Sequence, residues 1–276
     1  MDNNYFKANN IVIEPIKIAF YMPPTVFCGD PFGHVGKNDM FFLLLKGEII
    51  LFIDNDFYIM KAGQFAFLPK GKKRRYFSFS NDYKVYSMSF YANADGVNLM
   101  SGLGLAERNY VLTPENFDYI VELFENSSYV EFNKKPIYNV AWSANILNII
   151  NEYSKAYNLQ FNYKDTRIDN AIDYMKQNIS KNITIEDLSK VVYMQPTYFI
   201  RCFKKAYGYS PMAYFKKLKL CIATELLIEN NLSIDKIAEK IGIYDTSYFS
   251  RWFKLNCGVS PSEYKKRFIN KVVTTE

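Results

Sequence analysis

The sequence predicts an α+β protein of two domains, with a β-rich first half and an all-α second half. Short apolar runs separated by turn residues fill the stretch from Ile11 to Phe90, a pattern typical of an antiparallel sandwich or barrel. Beyond residue 166, one helical unit occurs twice with a period of about fifty residues. At 276 residues the chain is long enough for two separate cores.

The β-rich half alternates between apolar runs and turns. Gly47 and the run Asp54-Asn55-Asp56 supply turns between the first three strands. The predicted strands are 41–45, 49–53, 57–60, 65–68, 76–79 and 84–91.

Helical spacing follows Ala92 and predicts helices from Pro114 to Asn126 and from Ile137 to Tyr157. The second helix is apolar over a wide face, so it must pack on more than one neighbour. Packing on its own β-domain is compatible with this pattern. The polar stretch 158–165 is the predicted linker, which gives domains 1–157 and 166–276.

The repeat consists of two matching blocks. Tyr198–Lys204 reads YFIRCFK and Tyr248–Lys254 reads YFSRWFK, an offset of 50 residues. Upstream, Thr184 and Ser233 are good N-cap residues at an offset of 49. Each unit is therefore predicted to be two short helices joined by a turn, and the turn absorbs the one-residue difference.

The outer face of the second helix in each unit carries an Arg and a Lys after smaller residues. An Arg can fork onto guanine and a Lys can meet a phosphate, so such helices suit the major groove of DNA. A solvated surface is the alternative for one helix, and the repetition favours DNA. The predicted DNA-binding residues are Thr197, Ile200, Arg201 and Lys204 in the first unit and Thr246, Ser247, Ser250, Arg251 and Lys254 in the second.

One helix is predicted between the units, from Pro211 to about Asn230. Its length of about 30 Å is close to the ~34 Å of one DNA turn, so the two outer faces can enter successive major grooves.

Charge is unevenly distributed along the chain. Residues 166–276 contain 18 Lys and Arg against 11 Asp and Glu, whereas the preceding residues contain 16 against 17. The basic half is the half with the repeat, as phosphate binding requires. No run is long and apolar enough to span a membrane, and no signal-peptide pattern is present.

Metal and redox chemistry have little support in the sequence. A single histidine, His34, excludes a His-based metal cluster within one chain. The four cysteines have no CxxC spacing, which favours reduced thiols in a cytoplasmic protein. No cofactor and no metal are predicted.

The run SYFSRWFKLNCGVSPSEYKK resembles the signature of the AraC/XylS family of bacterial transcription regulators. The resemblance implies that the repeat is that family's double helix-turn-helix domain. It also implies double-stranded DNA, RNA polymerase, a small-molecule effector and a second copy of the chain as partners. The sequence departs from the family pattern at Tyr193, Ile200, Lys219 and Lys265.

The segment KAGQFAFLPKGKKRRY is similar to the turn motif of cupin-like barrels, the usual sensor domain of that family. The similarity implies a cupin-like antiparallel β-barrel, without metal because Arg74 stands where enzymatic cupins often have a histidine. Arg74, Tyr76 and Tyr86 fall near positions that line the sugar pocket of arabinose-type regulators, and Arg75 is expected in solvent. An exposed basic loop over 70–75 is the alternative.

Together, the resemblances imply a ligand-responsive, dimeric transcription regulator that is not an enzyme. An activator of carbohydrate-utilisation genes is the first interpretation, with a repressor left open. The alternatives are a cupin-type sugar-modifying enzyme fused to a DNA-binding domain and a methyl-accepting repair protein. The single histidine argues against the enzyme, and Cys28 alone before the repeat argues against the zinc-held cysteine of a repair protein.

Overall fold

The computed structural model describes residues 10–21, 34–54, 56–78, 82–106, 110–128, 136–162, 167–229 and 232–272. The chain divides into two compact units, Met1–Asn162 and Tyr163–Glu276. Strands occur in the first unit, and the described part of the second is helical. The predicted α+β class is therefore confirmed.

Two antiparallel sheets form the first unit. The strands are β1 (Ile11–Tyr21), β2 (His34–Val35), β3 (Asp39–Lys46), β4 (Glu48–Ile53), β5 (Asp56–Lys61), β6 (Gln64–Leu68), β7 (Lys73–Phe77), β8 (Lys84–Ala94), β9 (Val97–Asn98) and β10 (Val111–Leu112). One sheet has the order β1-β8-β3-β6-β10 with β9 beside β8, and the other has the order β2-β7-β4-β5. Among the described residues no strand pairing joins the sheets, so the cupin-like closed barrel is not confirmed.

Strand β7 begins three residues earlier than the sequence predicts. Its ladder with β4 runs from Ile50 opposite Phe77 to Ile53 opposite Arg74, and β2 pairs with its other side. The backbone groups of the basic run are thus satisfied by two neighbouring strands. Lys73, Arg74 and Arg75 therefore lie in the sheet and not in a loop.

Helices cover one face of the larger sheet. They are α1 (Leu99–Gly102), α2 (Phe117–Ser128) and α3 (Pro136–Asn162). Tyr153 of α3 is fully buried, and its ring lies 5.6 Å from Phe41 and 5.1 Å from Phe65 by their centroids. The stretch predicted as linker is partly helical, because residues 158–162 belong to the end of α3.

Seven helices are described in the second unit: α4 (Arg167–Gln177), α5 (Ile185–Val191), α6 (Pro196–Tyr207), α7 (Pro211–Glu229), α8 (Ile234–Lys240), α9 (Thr246–Cys257) and α10 (Pro261–Val272). The predicted pair of two-helix units corresponds to α5–α6 and α8–α9, and α7 is the single helix predicted between them. Helix α4 is tied to the first unit of the repeat because the Tyr207 hydroxyl donates to the Asp169 carboxylate.

Candidate nucleic-acid interface

Each two-helix unit opens on a hydrogen-bonded cap. In the first, the Thr184 hydroxyl accepts from the Asp187 amide, and the Asp187 carboxylate accepts from the Thr184 amide at 2.9 Å, a complete capping box. The bonds that the Asp187 carboxylate accepts from the Thr184 amide and hydroxyl lower the pKa of Asp187. In the second, Ser233 caps α8 by accepting from the Lys236 amide. The caps fix where α5 and α8 begin.

The turns of the two units differ by one residue. Tyr193 and Gly242 hold matching places, because the following amides, of Met194 and Ile243, bond to carbonyls five residues upstream in each unit. The caps of the next helices are Gln195 and Asp245. The additional residue of the second turn is therefore Tyr244, whose side chain is 79% exposed.

The second helix of each unit is anchored by an aromatic stripe. Phe199 and Phe203 of α6 are fully buried, as are Phe249 and Phe253 of α9. Phe203 meets Tyr214 edge-on at 5.4 Å. Phe253 meets Tyr264 in the same way, also at 5.4 Å. Burial of these rings, worth about 1.5–3 kcal/mol each, fixes which face of α6 and α9 points outward.

The predicted DNA-binding residues lie on the outward faces. Thr197, Arg201 and Lys204 are exposed on α6, and Ile200 beside them is half-buried. On α9 the exposed residues are Ser247, Arg251 and Lys254, and the half-buried ones are Thr246 and Ser250. Each helix thus presents an Arg and a Lys at matching positions of a common surface, and α6 has a second exposed lysine, Lys205.

Thr246 is engaged inside the protein. Its hydroxyl donates to the Asp235 carboxylate of α8 at 2.5 Å. The Asp245 carboxylate at the same helix end accepts from the Tyr248 amide at 2.9 Å. These bonds fix the start of α9 against α8. In the first unit the residue matching Thr246 is Pro196, which has no hydroxyl.

Exposed tyrosines that are not among the predicted DNA-binding residues surround both helices. Tyr193 is 89% exposed, and Tyr198 and Tyr248 are about half exposed at matching positions of α6 and α9. The Arg201 guanidinium lies over the Tyr198 ring at 5.2 Å from its centroid. This contact restricts the orientation of the guanidinium. The sequence does contain a signal for them: Tyr198 and Tyr248 occupy matching positions outside the buried stripe, where an aromatic side chain does not contribute to the core.

Two lysines that depart from the family pattern position α8. Lys219 donates to the Ile241 carbonyl at 2.7 Å, and Lys265 donates to the Leu232 carbonyl at 3.1 Å. Burial lowers the pKa of Lys219, which is 8% exposed. Lys219 therefore orients α8 from within and does not reach a base.

In the compact unit Met1–Asn162, the Arg74 side chain is buried and bonded to the backbone. It is 4% exposed, and its Nη1 donates to the carbonyls of Asn38 at 3.1 Å and Leu68 at 3.2 Å. Its guanidinium lies against Gly36, where an added Cβ would come within 2.5 Å of Cζ. Nearby, the buried Asp39 carboxylate accepts from the Lys70 amide at 2.8 Å. Burial raises the pKa of Asp39 and lowers that of Arg74.

The expectation that Arg75 lies in solvent is wrong. Arg75 is 6% exposed, and its Cζ lies 4.1 Å from the ring centroid of Phe52, the residue opposite it on β4. A guanidinium over an aromatic face is stabilised by the ring quadrupole. The exposed basic loop proposed for 70–75 is therefore also wrong at Arg74 and Arg75.

Tyr76 and Tyr86 do not meet. The Tyr76 ring packs edge-on against Phe42 at 4.7 Å, between the two sheets. Tyr86 stands opposite Leu43, the next residue after Phe42, so it points to the other face of the larger sheet. There it contacts Phe124 of α2 at 5.9 Å. Arg74 and Tyr76 therefore share the inter-sheet side of β7, as predicted, whereas Tyr86 lies on the other side of the larger sheet.

Within the described ranges, no group of three or more His, Cys, Asp and Glu side chains is arranged to hold a metal ion. Over the same ranges, no helix is long and apolar enough to cross a membrane.

Comparisons with known proteins agree with this geometry. A family model described as a helix-turn-helix domain matches residues 188–267. The lactose operon transcription activator of Staphylococcus xylosus is 26% identical over 255 residues, which cover 87% of this chain and 91% of the relative. The raffinose operon transcriptional regulatory protein RafR of Pediococcus pentosaceus is 28% identical over 214 residues, 75% of this chain and 77% of the relative.

Among solved structures, the C-terminal domain of AraT, a response regulator from Geobacillus stearothermophilus, is similar at 30% identity. The match covers 38% of this chain and 88% of the AraT domain, with a TM-score of 0.36. The paired helix-turn-helix units and the family model show that residues 188–267 form a helix-turn-helix domain, and over most of its length the chain is similar to transcription regulators of sugar operons.

Proposed function

We propose that this protein is a ligand-responsive activator of carbohydrate-utilisation genes that binds a specific DNA site through α6 and α9. The observation that carries the DNA-binding part is the repetition of one exposed Arg and one exposed Lys on two helices built on the same frame. The relatives named for lactose and raffinose operons support the sugar-utilisation part.

The two helices are proposed to enter successive major grooves. Helix α7 joins the two units and has 19 residues, a length of about 28 Å at 1.5 Å per residue. One turn of B-DNA is about 34 Å, so a rigid connector of this length suits two half-sites on one side of the duplex. Arg201 and Arg251 are each proposed to donate two hydrogen bonds to a guanine. Lys204 and Lys254 are proposed to contact phosphates.

We place the effector, a sugar, between the two sheets near Tyr76. The Ser87 side chain shares the inter-sheet face of the larger sheet with Phe42, because these residues stand opposite each other on β8 and β3. The Tyr76 ring contacts Phe42 from the other sheet. A phenol and a serine hydroxyl beside aromatic rings are suitable partners for sugar hydroxyls and a sugar ring face.

The proposed dimer uses the outer face of α3. No charged residue occurs from Pro136 to Asn151, and Val140 and Leu147 are 64% and 40% exposed. Other exposed residues of this stretch are Asn139, Ala141, Ala144, Asn148 and Asn151. A small, uncharged and partly apolar helix face can pack on a copy of itself about a twofold axis without burying charge.

The effector must favour one arrangement of the protein in order to regulate it. A sugar that binds both arrangements equally shifts nothing, whereas tighter binding to one shifts the population toward it. The DNA-bound activator would then recruit RNA polymerase in the cytoplasm. We propose no catalytic role, and metal analysis of the purified chain tests the enzymatic alternative, because bound stoichiometric metal would support a cupin-type enzyme.

The DNA-binding proposal is tested by selecting sequences from randomised duplexes with the full chain. We expect a bipartite sequence to be enriched, with two blocks about ten base pairs apart, and the Arg201→Ala, Arg251→Ala double variant to lose the enrichment. Recovery of unrelated sequences in both cases would contradict sequence-specific binding.

The sugar proposal is tested by the thermal stability of the full chain with lactose, raffinose and arabinose. We expect one of them to raise the melting temperature, and Tyr76→Phe to reduce the shift. Tyr86→Phe is the matched control, since Tyr86 lies on the other side of the sheet. A shift lost in Tyr86→Phe and kept in Tyr76→Phe would contradict the inter-sheet site.

A further inference from the structure

We propose that Ile200 makes the first unit select thymine at one base pair, by contact with the thymine 5-methyl group. The inference rests on the proposed role of α6 in the major groove and names the base that this helix selects.

Ile200 lies at the margin of the outward face of α6. The inward stripe is Phe199 and Phe203, which are fully buried. Ile200 is half-buried, and Thr197 and Arg201 next to it on the helix surface are exposed. Part of an aliphatic side chain is therefore presented on the surface that carries the Arg and Lys. Removal of that apolar surface from water is favourable when a partner of the same polarity covers it.

The second unit has a different chemistry at the same place. Ser250 of α9 matches Ile200, and both are half-buried. A serine hydroxyl can donate to or accept from any base edge. Isoleucine cannot hydrogen-bond, so a polar base edge that it covers loses water without replacement. The two units therefore differ in base preference although their frames are alike.

Among the four bases, only thymine presents an apolar group in the major groove, its 5-methyl group. An aliphatic residue on a reading helix thus has one favourable partner there. Arg201 follows Ile200 directly, and its guanidinium is held over Tyr198 at 5.2 Å. The first half-site therefore contains a thymine in addition to the guanine that Arg201 is proposed to contact.

The test removes the methyl group and nothing else. The DNA sequence enriched by the full chain from randomised duplexes is resynthesised with deoxyuridine in place of thymine, one position at a time. At one thymine of the first half-site we expect the affinity of the wild-type protein to fall about fourfold, the effect of exposing one methyl group. At the other thymines we expect no comparable loss.

The same duplexes are then measured with two variants. Ile200→Ser, which introduces the residue found at the matching position of α9, should bind the thymine and deoxyuridine duplexes equally, whereas Lys46→Ala, a control outside the DNA-binding helices, should keep the fourfold ratio. The ratio is taken within one protein, so a change in its folded fraction cancels. A ratio that persists in Ile200→Ser, or a wild-type protein indifferent to deoxyuridine everywhere, would overturn the inference. If no sequence is enriched at all, the proposed sequence-specific binding fails, and the inference fails with it.

Discussion

Tyr193 and Gly242 occupy the same position in the two helix-turn-helix units, and both have positive φ, +54° and +72°. Glycine is required at the second place, because an added Cβ would lie 2.1 Å from the Ser180 carbonyl oxygen. Tyr193 adopts the same backbone with a bulky side chain that is 89% exposed. The left-handed conformation costs a residue with a Cβ about 1–2 kcal/mol, and little burial offsets it here.

Tyr193→Gly should therefore stabilise the protein. We expect a gain of about 0.5–1 kcal/mol in the free energy of unfolding, since the relief of strain exceeds the added entropy of the unfolded chain. Urea unfolding followed by circular dichroism measures it. Gly242→Ala is the control and should be clearly less stable than wild type. Equal or lower stability of Tyr193→Gly would contradict the strain.

The capping box at Thr184 makes stability depend on pH through Asp187. Its folded-state pKa is lowered from 3.8 by bonds from the Thr184 amide and hydroxyl. A lowered pKa contributes stability that is fully present above the unfolded pKa and is lost as pH falls through the folded pKa. We expect wild type to melt above Asp187→Asn at neutral pH, with the difference shrinking below about pH 4.

The control for that comparison is Glu186→Gln, which removes one charge from the same helical turn. A difference between wild type and Asp187→Asn that stays constant from neutral pH down to pH 2 would show that the carboxylate charge is unimportant.

Lys254 and Lys204 are assigned to phosphates, which carry no sequence information. Lys254→Ala should weaken binding to specific and random duplexes by a similar factor and reduce the salt slope of the binding constant by about 1. Titrations at several salt concentrations measure both. Lys46→Ala is the control: it removes an ion pair with Asp82 in the compact unit Met1–Asn162 and should leave the salt slope unchanged. A loss of base preference in Lys254→Ala would place this lysine on a base.

The division between the two compact units gives a further expectation. A fragment of residues 163–276 should fold cooperatively and bind DNA with steep salt dependence, because its aromatic stripes and caps lie within it. Circular dichroism and urea unfolding measure the folding. A fragment that is unfolded in the absence of the first unit would contradict an independent DNA-binding domain.

The repeat was predictable from the sequence, whereas the surroundings of the polar residues Arg75 and Tyr86 were not, for a physical reason. The stripe containing Phe199 and Phe203 depends on spacing along one helix, so the sequence alone identifies the outward face. Arg75 and Tyr86 depend on which strands flank them and on what covers each sheet. Phe52 covers Arg75 from β4, and α2 covers Tyr86, and neither relation is encoded in the spacing of β7 or β8.

The same limit applies within the repeat. Thr246 was assigned to DNA from its position on α9, yet its hydroxyl donates to Asp235 on the preceding helix. The match between Thr246 and Pro196 could have indicated this. Because proline has no hydroxyl, the two matching positions cannot make the same hydrogen bond to DNA.

Helices α6 and α9 are proposed to read two separate DNA segments. The most direct test compares the affinity of Arg201→Ala and Arg251→Ala for every single-base-pair variant of the selected site. We expect each variant to lose about 1–3 kcal/mol of discrimination at one base pair, with the two base pairs about ten apart. Loss of discrimination at the same base pair in both variants, or uniform weakening across all sequences, would contradict the claim.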